Sequence, residues 1–66
     1  MRFASWDQVA AQLARVQARW LQWGDHGEAV YYSALLRRYI IIRQIRTATG
    51  TIIYDWDEAD SCGCGR

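Results

Sequence analysis

The strongest constraint on this chain is a seam of six apolar residues. Trp6, Val9, Leu13, Val16, Trp20 and Trp23 recur at intervals of three and four. That interval places them on one face of a helix. Ser5, with Gln8 three residues later, forms a capping-box signature just ahead of the seam. Alanines at 10, 11, 14 and 18 add helix propensity, and Gly24 stands where a left-handed cap would end the run. The pattern predicts a first helix over about 5–23.

A second start signal follows in Asp25 and Glu28, again three apart, where acids favour a helix N-terminus. It predicts a second helix over about 26–37. Beyond Arg38 two readings compete. Ile40-Ile41-Ile42 is a β-branched run that favours extended backbone. Thr51-Ile52-Ile53-Tyr54-Asp55-Trp56 reads as a strand in need of a partner, with Thr47–Gly50 as the loop between them. This favours a β-hairpin of about 38–46 and 51–56. The alternative is an all-α helical hairpin whose second helix continues to about 47. The expected fold is thus α+β: two helices packed on a hairpin, as one domain over 1–56. Residues 57–66, acidic and then rich in glycine and cysteine, read as a flexible tail.

At 66 residues the chain has room for one small core. Nine aromatic side chains supply much of its apolar area, and more than so short a chain readily buries. The surplus along the seam (Trp6, Val9, Leu13, Val16, Trp20, Trp23) points to self-association through helix 1 or to a foreign protein partner. No run of residues approaches a membrane span, and the N-terminus does not read as a signal peptide. The expectation is a cytoplasmic protein with no membrane partner.

Charge is distributed unevenly. Residues 29 to 54 carry Arg37, Arg38, Arg43 and Arg46 and no acid, whereas Asp55, Asp57, Glu58 and Asp60 follow without a base. All eight basic residues are arginine, which favours bidentate and stacked contacts. Arg37, Arg38, Tyr39, Arg43 and Arg46 are therefore the candidate partner-binding residues. The acidic run offers a rival surface that could mimic phosphates, and the bland account has the two neutralise each other.

Motifs for chemistry are lacking. His26 has no serine or cysteine at a catalytic spacing, and Cys62-Gly63-Cys64 has no second ligand pair for zinc. Nothing resembles a phosphate-binding glycine loop. The chain reads as neither an enzyme nor a holder of a metal, cofactor or small-molecule substrate. In size, lack of lysine and lack of catalytic motifs it is similar to small phage or mobile-element proteins that disable a host factor by occupying its surface. The leading expectation is a non-enzymatic binding protein that occludes a macromolecular partner. The alternative is a small nucleic-acid-binding regulator of winged helix-turn-helix outline, with Arg43 and Arg46 on the wing.

Overall fold

The computed structural model describes residues 1–60. One helix lies across a five-stranded antiparallel sheet. In chain order the elements are β1 (Arg2–Phe3), α1 (Trp6–Arg15), β2 (Ala18–Trp23), β3 (Ala29–Ser33), β4 (Arg38–Arg46) and β5 (Ile52–Ala59). The sheet runs β1-β5-β4-β3-β2, so four strands form a meander and β1 closes onto its far side. The backbone is only 15 Å deep in its shortest dimension, the depth of a helix on a sheet with no third layer.

The α+β class stands, with one helix in place of two. Ser5 caps α1 as its spacing suggests. Its hydroxyl accepts from the Gln8 amide, and the Gln8 side chain accepts in return from the amide of Ala4. The helix then stops at Arg15, because Gln17 adopts a left-handed φ of 55° and turns the chain into β2. The expected helix over 5–23 is therefore ten helical residues followed by a strand. Trp20 and Trp23 still share a face because β2 contains a bulge between Trp20 and Gln22. The extra residue, Leu21, restores to one side of the sheet two side chains that a regular strand would send to opposite sides. A three-residue interval made by a bulge is indistinguishable in sequence from one made by a helical turn.

The second helix is replaced by a turn, a strand and another turn. Asp25 and Glu28 do not cap a helix. Glu28 instead closes the β2–β3 turn, its carboxylate accepting from the His26 amide at 2.8 Å. The Gly24 amide donates to the Glu28 carbonyl at 2.7 Å, and Gly27 supplies the positive φ of 82°. A side chain at Gly24 would collide with the Glu28 carboxylate. The expected hairpin is present as β4 and β5, which excludes the all-α alternative. Its second strand is longer than expected: Asp57, Glu58 and Ala59 pair with Ile41, Ile40 and Tyr39 rather than entering a tail. Cys62 and Cys64 lie outside the described residues.

The core lies between α1 and one face of the sheet. Val9, Leu13 and Val16 meet Ala29, Ile40, Ile42 and Trp56, with Phe3, Ala18, Tyr31 and Tyr54 packed at the margin. Each large apolar side chain removed from water here contributes roughly 1.5–3 kcal/mol. The buried polar side chain is Ser33. Its hydroxyl donates to the Val16 carbonyl at 2.6 Å and accepts from the Leu36 amide at 3.0 Å. One oxygen thus ties the end of the helix to the β3–β4 turn.

Two stability predictions follow from these turns. Ser33→Ala strands the Val16 carbonyl and the Leu36 amide, and should cost about 1–3 kcal/mol. For a domain this small, thermal melts should show a drop of at least ~4 °C. Arg37, in the β3–β4 turn, holds a left-handed φ of 58°. Arg37→Gly should relieve that strain and stabilise the fold by about 1 kcal/mol in urea titrations.

Candidate functional site

Strand alternation gives the two faces of the sheet different chemistry. On the face away from α1, Arg2, Asp55 and Arg43 lie in register across β1, β5 and β4. Arg2 approaches Asp55 at 3.9 Å, and Arg43 is shared between Asp57 at 3.5 Å and Glu28 at 3.9 Å. Tyr32 and Tyr39 meet edge to face on the same side. On the helix face, Arg38 reaches Asp60 at 2.9 Å, and its buried Nε sits 3.6 Å from Glu58. Glu58 also accepts from the Trp56 indole N–H.

The five candidate partner-binding residues therefore do not form one surface. Tyr39 and Arg43 face away from the helix, Arg38 and Arg46 share the parity of the core residues Ile40 and Ile42, and Arg37 sits in a turn. Arg38 and Arg43 are already engaged by acids of their own chain. So are three acids of the proposed phosphate mimic, Asp57, Glu58 and Asp60, while Asp55 faces Arg2. Among the described residues, Arg37 and Arg46 have no carboxylate within ion-pair distance. A helix-turn-helix is also lacking there, since residues 26–37 contain no helix.

The helix face carries a more coherent site. The seam divides in two: Val9, Leu13 and Val16 are consumed by the core, whereas Trp6, Trp20 and Trp23 remain 41%, 47% and 66% exposed. These three indoles border a cleft of about 710 Å³ beside the helix. Tyr31 and Tyr54 join them, with Ala29, Ile42 and Gln44 between. Trp6 meets Tyr54 at 5.5 Å, while Trp20 meets both Trp23 at 4.9 Å and Tyr31 at 5.7 Å, all edge to face. The rings brace one another in two groups, which holds exposed indoles in fixed positions.

The sequence pattern places Tyr31 in a helix over about 26–37 and Tyr54 in a strand defined only by its pairing, so neither stands out as a site residue. The signal available was alternation: Ala29, Tyr31 and Ser33 share one face, and so do Tyr54 and Trp56. Burial pushes the Tyr31 phenol above its ordinary pKa, so it acts as a neutral ring and hydroxyl.

The His26 side chain is 91% exposed, with its Nδ1 4.0 Å from Glu28. Among the described residues no cluster of His, Cys, Asp and Glu could hold a metal ion, and no helix is long and apolar enough to cross a membrane. Glu28 is a structural carboxylate. Its own backbone N–H, then that of His26, hold its pKa below the ordinary 4.5, aided by the charges of His26 and Arg43. A carboxylate with a depressed folded pKa stabilises the fold above its unfolded value and loses that contribution as pH falls through the folded one. The melting temperature of the native chain should therefore decline on acidification below about pH 4.5. Glu28→Gln, which keeps an acceptor oxygen for His26, should flatten that acid limb in melts recorded across the range.

Comparison with known proteins adds no relative: no family model, no curated protein and no solved structure matches the chain.

Proposed function

We propose that the protein is a non-enzymatic binding module that occludes a surface of a macromolecular partner, acting as an inhibitor by steric cover. The observation that carries this reading is the exposure of Trp6, Trp20 and Trp23 around one cleft. Exposed indoles braced by neighbouring rings lose little conformational entropy on contact, and tryptophan is among the residues that dominate interface energy. A protein surface with apolar side chains fits the cleft better than a polyanion does. The charged groups bordering it, Glu28, Arg43 and His26, do not add up to a basic patch, and Arg43 is shared between two carboxylates.

The arginines belong to the fold's own ion-pair network in this reading, with Arg37 and Arg46 free to tune approach. Their contribution to affinity is small beside that of the indoles, since exposed ion pairs contribute about 0–1 kcal/mol.

Capture of a partner from a lysate of the source cells, followed by titration of the identified protein, tests the assignment. Trp20→Ala with Trp23→Ala should weaken binding by about 2 kcal/mol or more, some thirtyfold. Arg37→Glu with Arg46→Glu, both outside the cleft lining, should leave it within about threefold. The reverse ranking would transfer the site to the arginines. Single-stranded or duplex nucleic acid of random sequence should show no binding at low salt, where electrostatic association is strongest.

A further inference from the structure

The rings that line the cleft stand steeply to one another. Trp20 lies at 74° to Trp23 and at 79° to Tyr31, so these three form a corner of aromatic walls. Trp6 and Tyr54, at 66° to each other, make a second pair in the same lining. The three indoles are exposed, which leaves ring surface open to an occupant. The face of an aromatic ring carries partial negative charge and attracts a cation, most strongly when the ring is tryptophan.

The charged groups of the lining add to that preference. Glu28 supplies a carboxylate, kept ionised by its own backbone N–H and that of His26. Arg43 supplies a guanidinium, but it is 3.5 Å from Asp57 and 3.9 Å from Glu28. Two carboxylates thus answer one cation, and the balance is negative. His26 adds positive charge only when protonated. Gln44 and the two phenol oxygens offer further acceptors.

We infer that the cleft takes an arginine side chain of the partner, its guanidinium laid on the indole faces with Glu28 as counter-charge. Arginine suits these walls better than lysine does. Its guanidinium is planar and weakly hydrated, so it stacks on a ring and sheds water at less cost than a compact ammonium. Its five N–H donors lie in the plane of the group, where they can meet acceptors at the rim while the face covers a ring. A neutral apolar side chain would cover the rings and leave the negative balance unanswered, and an acidic one would oppose it. The inference rests on the binding role proposed above and specifies the partner: a protein whose covered surface presents an arginine.

Peptide titration of the native chain tests it, read from the indole N–H resonances, which separate Trp6, Trp20 and Trp23 from the buried Trp56. A short capped alanine peptide with a central arginine should shift the three exposed indoles saturably and leave Trp56 in place. The same peptide with citrulline, which has a similar shape and no charge, should bind about fivefold more weakly or worse. A central glutamate should be weaker still. Trp20→Leu with Trp23→Leu keeps apolar side chains and removes two ring faces, so the arginine peptide should fall to the citrulline level. A thermal melt matching the native chain shows that this variant is folded. The inference is overturned if citrulline or glutamate binds as well as arginine, or if the arginine peptide gives no saturable shift. Indole shifts that change on dilution without peptide would give the cleft to a second copy and overturn it too. Partner capture that depends on the tryptophans, with no preference for arginine, would leave the proposed function standing without this inference. A clear arginine preference with no partner captured would do the opposite.

Discussion

A ten-residue helix spans about 15 Å, and five strands at about 4.8 Å spacing span more than that. This mismatch governs the molecule. α1 covers the strands around Ile40, Ile42 and Trp56, and beyond its reach on the same face stand Trp20 and Trp23 at one side and the charged Arg38, Arg46 and Glu58 elsewhere. The exposed indoles are thus no packing accident at scattered positions. Trp20 and Trp23 occupy a part of that face the helix does not reach, and Trp6 opens the helix beside the same cleft. The left-handed turn at Gln17 is what makes the helix short.

The turn at Gln17 also marks where the sequence stops being readable by periodicity. Up to Val16, spacing, capping and burial agree: Ser5 caps, and Val9, Leu13 and Val16 face the core. After it the same interval continues through Trp20 and Trp23, but its cause changes from a helical turn to a bulged strand. No glycine or proline announces the switch, because a glutamine accepts the left-handed conformation at an energetic cost. What outweighs that cost is tertiary: pairing of β2 with β3, and the Val16 carbonyl held by Ser33. Asp25 and Glu28 mislead for a related reason. An acid three residues after another can reach back to an amide in a hairpin turn as readily as at a helix start, and here Glu28 does so. The hairpin of β4 and β5 was legible because β-branched residues in succession have one comfortable backbone.

The candidate site was half legible for the same physical reason. That the tryptophans outnumber what a small core needs follows from composition; Trp6, Trp20 and Trp23 are exposed, while Trp56 lies in the core. That Val9, Leu13 and Val16 part company with them follows only from where the helix ends. The arginine-rich stretch looked like a surface because its acids lie later in the chain. Antiparallel pairing brings the two runs together, with Arg43 beside Asp57 and Arg38 beside Glu58 and Asp60. Segregation of charge along a sequence thus becomes alternation of charge across a sheet whenever the two runs occupy adjacent strands.

Edges and faces then divide the labour of the surface. The face away from the helix is laced with ion pairs, which discourages apolar contact, and β1 with two acids closes the β5 edge. What remains open on the helix face is contiguous: the cleft and the indoles that border it. A molecule that sets its largest exposed side chains around one cleft has concentrated its exposed aromatic surface in a single region. Contact energy there comes from indoles on the sheet and the helix start, and direction comes from the edge-to-face packing that fixes Trp6 on Tyr54 and Trp20 on Trp23 and Tyr31.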